Sequence, residues 1–327
     1  MLVVSYQDVR PEAMTELIDS FDGGMAVTLG KMDGLHRGHM ELVREIVDHA
    51  KKYNENHRSR RGSVVVSFGK QVYRVVTNQN TPVLSTLKEQ ELILKSEGVL
   101  PDLLVEYPFT PELRDMEADC FLETVLRDTF GCRFVSIGDD FCFGHMRRGN
   151  AAYMKRYGDD HGFETSVHAK LTEEGRVISS TAVAEEVTKG HMQKATAMLG
   201  RPYSVYGEVV HGNHYGTGMG FPTANQVPVP EKLLPPNGVY LSRTYVVSEG
   251  KWYESISNIG TRPTVTQDTV RTCETHIYSF HEDIYGKEIL VELLSFMRPE
   301  RAFCTITDLT EQVMADMEMG RALHRNR

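Results

Sequence analysis

Long apolar runs are missing from this 327-residue sequence. No stretch approaches the ~20 residues that a membrane-spanning helix requires. The opening MLVVSYQDVRPEAM lacks the basic start and apolar centre of an export signal. Cysteine is scarce: Cys120, Cys132, Cys142, Cys273 and Cys304 are scattered, odd in number and never spaced CxxC. That pattern carries no zinc signature and fits thiols kept reduced and used as small hydrophobes. Positive charge is in deficit, with 36 Lys and Arg against 45 Asp and Glu for a formal charge of -9. A nucleic-acid surface needs a basic stripe, so the balance argues against one. Together these absences imply a cytoplasmic protein whose partners are small molecules, with no nucleic acid and no membrane among them. They leave the oligomeric state open.

What is present divides into two rhythms. From Met25 to about Ala169, short apolar runs alternate with amphipathic stretches. MAVTL (25–29), SVVVSF (63–68), DLLVEY (102–107), FVSIG (134–138) and ETSVH (164–168) read as strands too apolar to be solvated on one face. Helical spacing places Leu42, Val43, Ile46, Val47 and Ala50 on one helix. Further helices are expected over Thr86–Ser96, over Pro111–Thr129 and from near Asn150. Strict alternation of strand and helix predicts a Rossmann-like parallel α/β sheet, with ligands at the carboxyl ends of its strands. After about Lys189 a short helix (His191–Leu199) leads into strand-like segments separated by turns, the pattern of an antiparallel β-barrel. A closing helix from Thr305 to about Met319 carries Ile306, Leu309, Val313 and Met317 on one face. Two domains are therefore expected, 1–188 and 189–327.

In the second half, GEVVHGNHYGTGMGFPTAN (207–225) packs five glycines between Gly207 and Gly220. A backbone without Cβ atoms can approach a phosphate closely, which makes Gly212 and Gly220 candidates for such a contact. No GK[ST] follows, so this is not a Walker A loop. In FPTAN, Pro222 fixes φ, and an extended path puts Thr223 and Asn225 on one face. A neutral hydroxyl beside a neutral amide oxygen suits Mg²⁺ that already carries phosphates. In CETHIYSF (273–280), Glu274 and His276 share a strand face, and Glu274 can serve as general base toward an attacking hydroxyl. A plain turn and a solvated strand face are the bland readings of the same residues.

In the first half, TLGKMDGLHRGHMELV (28–43) sets His36 and His39 three apart at the start of a helix, after a turn opened by Gly30 and containing Asp33. Two imidazoles at a helix N-terminus make a site for polyphosphate and can stabilise departing pyrophosphate. A zinc pair is the other reading, although no further ligand stands at motif spacing. His211 and His214 form a second such pair. SIGDDFCFGHMRRG (136–149) and VISSTAV (177–183) follow, and Ser179, Ser180 and Thr181 open another helix with hydroxyls and free amides.

The blocks GEVVHG…GFPTAN, LLPPNGVY (233–240), SNIGTRPT (257–264), ETHIYSFHEDIYGKEI (274–289) and LLSFMRPERAF (293–303) resemble the riboflavin kinase family, in order, over nearly all of 200–320. With HxGH, GDDF and ISST added, the whole chain resembles the bacterial bifunctional riboflavin kinase/FMN adenylyltransferases. The resemblance implies a six-stranded barrel with Thr223 and Asn225 at Mg-ATP, Glu274 as base and Arg298 near the flavin or its phosphate. It further implies that His36 and His39 hold ATP phosphates, that Asp140 lies near the substrates, and that FMN and FAD are products. Departures from the family pattern are Thr217 for Arg, Lys31-Met32 for Asn-Phe, Lys70, Gln71 and Val72 in place of Pro-His-Pro, and Ala184 for Arg. Those departures frame an alternative, a riboflavin kinase with a catalytically degenerate N-terminal domain. A non-catalytic flavin sensor is a third reading, opposed by the intact FPTAN and Glu274 set.

Overall fold

The computed structural model describes residues 1–8, 10–69, 75, 81–211, 221–263 and 269–327. Gly212, His214, Thr217, Gly220 and the Lys70–Val72 departure lie outside the described residues. The chain forms two compact units, Met1–Ser180 and Thr181–Arg327.

In the first unit β1 (Leu2–Ser5), β2 (Met25–Gly30), β3 (Gly62–Ser67), β4 (Leu103–Glu106), β5 (Cys132–Gly138) and β8 (Glu164–His168) pair in parallel in the order β1-β4-β3-β2-β5-β8. Two short antiparallel pairs flank it, β6 (Cys142–Phe143) with β7 (Gly149–Asn150) and β9 (Thr172–Glu173) with β10 (Arg176–Val177). Every residue of β3 is buried, as is all of β2 except Gly30, because helices cover both faces of a parallel sheet. The helices are α1 (Pro11–Asp19), α2 (Arg37–Asn56), α3 (Leu87–Ser96), α4 (Pro111–Asp115), α5 (Ala118–Phe121), the wide-turned α6 (Leu122–Thr129) and α7 (Ala151–His161). On α2, Met40, Leu42, Val43, Ile46 and Ala50 are buried. Each large apolar side chain among them contributes about 1.5–3 kcal/mol of transfer free energy.

The strand order fixes the position of a crevice. From β2 the chain builds outward through β3 and β4, then returns to lay β5 on the other side of β2. Connections therefore leave the carboxyl ends of β2 and β5 in opposite directions, and a cleft opens between them. The turn after β2 carries HxGH, and the turn after β5 carries Asp139 and Asp140.

The helix α8 (Ser180–Thr188) starts on the last residue of the first unit and continues into the second, where α9 (Met192–Leu199) follows it. The strands β11 (Tyr203–Val210), β12 (Ala224–Gln226), β13 (Gly238–Val246), β14 (Lys251–Pro263), β15 (Thr269–Ile277) and β16 (Glu288–Pro299) follow. They close, among the described residues, into an antiparallel barrel in the order β11-β12-β15-β14-β13-β16. Closure leaves no unpaired edge. The final helix α10 spans Ile306–Arg325 and starts with a capping box, in which Thr305 and Asp308 exchange side-chain-to-backbone hydrogen bonds.

Three expectations need correction. The segment Pro111–Thr129 is not one helix: Met116 turns extended and gives its carbonyl to the His145 N–H at 2.6 Å. The closing helix runs past Met319 to Arg325. The strand β1 and helix α1 had no counterpart in the pattern reading.

Candidate functional site

In the sheet unit the β2–α2 turn is held under strain. Met32 and Leu35 adopt left-handed backbone, φ 49° and 42°, although both are long side chains and nearly fully buried. That costs on the order of 1–3 kcal/mol each and persists only where surroundings enforce it. The enforcing contacts come from the segment leading into α3. Asp33, 5% exposed, accepts the Leu84 N–H at 2.7 Å and the Ser85 N–H at 3.1 Å. The Gly34 N–H, on a backbone with φ 77°, donates to Ser85 Oγ at 2.8 Å, and Gln90 donates to the Met32 carbonyl at 3.2 Å. Lys31 Nζ stands 3.5 Å from the other Asp33 oxygen. Asp33 is thus the internal brace of the turn.

The braced turn delivers His36 as the N-cap of α2, its Nδ1 accepting the His39 N–H at 3.4 Å. The two rings stack with centroids 3.7 Å apart and 17° between planes. His36 is buried and His39 half-buried, both at the positive end of a 20-residue helix. Ser180, first residue of α8, donates its hydroxyl to the Asp33 carbonyl at 2.9 Å, with Ser179 just before it. Thr181 is exposed and opens the second unit. Across the cleft Asp140 is exposed, with Lys170 Nζ 2.9 Å from its carboxylate.

In the barrel unit a cavity of about 330 Å³ is lined by Thr223, Glu274, His276, Asn258, Glu300 and Arg298 on its polar side. Phe221, Val239, Ile256, Phe303, Leu309, Val313 and Met317 form the apolar side. Glu274 on β15 pairs in register with Asn225 of β12 on one side and Asn258 of β14 on the other. Burial is the main reason its carboxyl holds its proton above the ordinary range; Arg262 pulls the other way and Glu300 adds to the rise. Asn225 is buried and donates its amide to the Thr223 carbonyl and hydroxyl at 3.2 and 3.3 Å. Among the described residues no group donates to its amide oxygen, which is the atom left for a ligand. His276 Nδ1 meets the Pro222 carbonyl at 2.9 Å, tying the strand of Glu274 to the loop before Thr223. A carbonyl only accepts, so Nδ1 carries the proton. Burial lowers the pKa of this imidazole.

Arg298 reaches the cavity already engaged. Its guanidinium makes a forked contact with Asp316 of α10, Nε at 2.9 and 3.0 Å and Nη2 at 2.6 Å. Asp316 is 7% exposed and also accepts from Gln312 at 2.7 Å. The forked pair fastens α10 as one wall of the cavity.

Residues 18–182 match the FAD synthetase family and residues 199–324 the riboflavin kinase family. A bifunctional riboflavin kinase/FMN adenylyltransferase of Haemophilus influenzae is 32% identical over 91% of this chain and 94% of its own length. The chain belongs to this bifunctional family. Two more members, from Pseudomonas fluorescens and Escherichia coli K12, are 30% and 32% identical, covering 98% and 90% of this chain and 97% and 90% of their own. Among solved structures, a protein of Streptococcus pneumoniae named as a macrolide-efflux protein aligns with a TM-score of 0.76 and 28% identity, over 91% of this chain and 94% of its own. That likeness bears on the fold. Among the described residues of this family member, no helix is long and apolar enough to cross a membrane.

Sequence reasoning missed most of the cavity wall. Leu309, Val313 and Met317 lie on the closing helix as their spacing predicts and line the cavity, while Ile306, placed on the same face, is 72% exposed. Arg301, Phe303 and Asn258 were not singled out at all. The one available signal was that they sit within or beside the family blocks SNIGTRPT and LLSFMRPERAF.

Proposed function

We propose that the chain runs two successive reactions, riboflavin and ATP to FMN and ADP in the barrel unit, then FMN and ATP to FAD and pyrophosphate in the sheet unit. The observation that carries this reading is the barrel cavity. A partly desolvated carboxylate, a hydroxyl and an arginine converge there from separate strands, in a chain that aligns with bifunctional enzymes over 90% or more of its length.

For the first reaction, the apolar side of the cavity takes the flavin ring and Glu274 meets the terminal ribityl hydroxyl. As that oxygen bonds to the γ-phosphorus, Glu274 accepts its proton and the bond to the bridging oxygen breaks, releasing ADP. Desolvation makes Glu274 a stronger base than an exposed carboxylate. Thr223 Oγ1 and the Asn225 amide oxygen, both neutral and hard, fit a magnesium ion that arrives with ATP and would hold it. When bound, the ion neutralises charge on the phosphates. The glycine loop, with Gly212 and Gly220, belongs to the same nucleotide site in this reading, and Arg298 to the flavin side.

For the second reaction, His36, His39 and the positive N-terminal end of α2 take the phosphates of ATP, with Gly30, Ser179 and Ser180 around them. An FMN phosphate oxygen bonds to the α-phosphorus as pyrophosphate leaves, and Asp140 flanks the substrates. Asp33 acts through the shape of the turn. The two activities divide at 188/189, which keeps α8 whole and falls between the two family matches.

The test is a chromatographic time course of the purified chain with riboflavin and Mg-ATP, resolving riboflavin, FMN and FAD. FMN rising and then yielding to FAD is expected. FMN accumulating without FAD, even when FMN is supplied, would reduce the function to kinase alone.

A further inference from the structure

A polar knot lies under α2, away from the histidines and unused by either reaction. Glu45, about two and a half turns along the helix from His36, is reached by three side chains of β5 and β8. Ser136 Oγ of β5 lies 2.5 Å from Oε2, Ser166 Oγ of β8 lies 2.8 Å from Oε1, and His168 Nε2 of β8 lies 2.7 Å from Oε2. Burial favours the protonated acid, but the hydrogen bonds from Ser136, His168 and Ser166 outweigh it and hold the carboxyl below its usual range. At neutral pH Glu45 is therefore a carboxylate that only accepts, and the His168 Nε2 carries a proton. The backbone of His168 faces the cleft. Its carbonyl accepts the Asp139 N–H at 2.8 Å, and it pairs in register with Gly138. Asp140 is the next residue along.

We infer that Glu45 is a positioning residue for FMN adenylylation: with His168 it sets the separation between the His36–His39 pair on α2 and the Asp139–Asp140 turn after β5. The inference rests on the adenylyl reading proposed above. It follows from the topology. The histidines stand at the start of α2, which packs across both β2 and β5, while Asp140 rides on the turn after β5, so transfer depends on the helix and that turn moving as one body. The hydrophobic face of α2 holds the helix on the sheet, but apolar contacts are not directional and fix its register less sharply than hydrogen bonds do. Three short hydrogen bonds to one carboxylate resist sliding. Their loss lets the two halves shift by a fraction of an ångström, and a misplacement of about 1 Å can cost ~100-fold in a transfer reaction.

The experiment measures FMN-to-FAD conversion at varied ATP for the wild type, Glu45→Gln, His168→Gln and His168→Leu. Riboflavin phosphorylation and thermal melting are followed on the same preparations. A glutamine at 45 offers one neutral accepting oxygen where the carboxylate offers two charged ones, so Ser136 and His168 lose a charge-assisted acceptor and the Ser166 contact survives only by reversing direction. Glu45→Gln and His168→Leu should lower kcat ~10–100-fold with KM for ATP moving less than ~3-fold, a split that marks a defect in alignment rather than in binding. Riboflavin phosphorylation should not change. His168→Gln keeps an N–H donor and should retain kcat within ~3-fold. An indifferent kcat in Glu45→Gln overturns the inference. So does equal impairment of both His168 variants in step with lost thermal stability, which is how purely structural glue would behave. A wild type that makes no FAD from FMN defeats the adenylyl reading and this inference with it, whereas an active wild type beside an indifferent Glu45→Gln defeats the inference alone.

Discussion

Replacing Glu274 with glutamine separates the role of that carboxylate from its place in the fold. The two side chains are nearly isosteric, so the cavity of about 330 Å³ keeps its shape and the KM for riboflavin should move little. What disappears is the proton acceptor, and a positioned general base is worth ~10²–10⁴ in rate, or about 2.7–5.5 kcal/mol of barrier. Stability should change in the opposite sense. Glu274 binds its proton more tightly in the folded chain than in the unfolded one, chiefly because it is buried. Such a group contributes stability that is fully present below its unfolded pKa and is lost as pH rises through the folded pKa. At neutral pH the carboxylate is therefore a burden on the fold, and Glu274→Gln should melt at the same temperature as the wild type or higher. Activity has its own pH sign: the base works only when ionised, so FMN formation should fall as pH drops through the raised pKa. The residual rate of the variant should lack that acid limb. The assay is FMN formation from riboflavin across mildly acidic to neutral pH, with FAD formation from supplied FMN as the control. A variant that forms FMN within ~10-fold of the wild-type rate would refute the base assignment. Equal loss of FAD formation would refute separate sites.

His36→Asn keeps an N-cap acceptor but removes the imidazole, and should slow FAD formation ~10–100-fold, the worth of a charge-assisted hydrogen bond, while FMN formation stays intact. His36→Ala should add a loss of about 1 kcal/mol in chemical denaturation for the missing cap. Asp33→Ala strands the Leu84 and Ser85 amides in the interior and should destabilise the sheet unit by about 2–4 kcal/mol by denaturant titration, with FAD formation lost and FMN formation kept. Arg298→Ala leaves Asp316 buried without its forked partner and should destabilise the barrel unit by about 3–5 kcal/mol. A melting curve indistinguishable from the wild type would count against Asp316 anchoring α10.

The parallel sheet was legible because strands buried on both faces read as unbroken apolar runs, and β2, β3 and β5 sit within a residue or two of the runs at 25, 63 and 134. The leading strand β1 escaped because four residues carry no usable period, and Leu2 is half exposed at the sheet edge. Among site residues the same contrast holds at the level of single side chains. His36 and His39 could be paired from spacing alone, since an N-cap and the third helical residue are neighbours, and the stack at 3.7 Å follows. Glu274 and His276 could be paired because two residues on a strand share a face, and both line the cavity. Asp33 was also singled out, yet its partners stand 51 and 52 residues away, and nothing local distinguishes a carboxylate that meets a nucleotide from one that braces a turn. Glu45 went unnoticed for the same reason, with partners 91, 121 and 123 residues distant. The stripe Leu309, Val313, Met317 marks the further limit. A helix face that packs into a core and one that walls a ligand cavity need the same apolar residues at the same spacing, because both are dry. What separates them is whether the opposite side is filled, and here that is decided by β14 and β15, which set Glu274 and Asn258 across the space where a core side chain would otherwise lie.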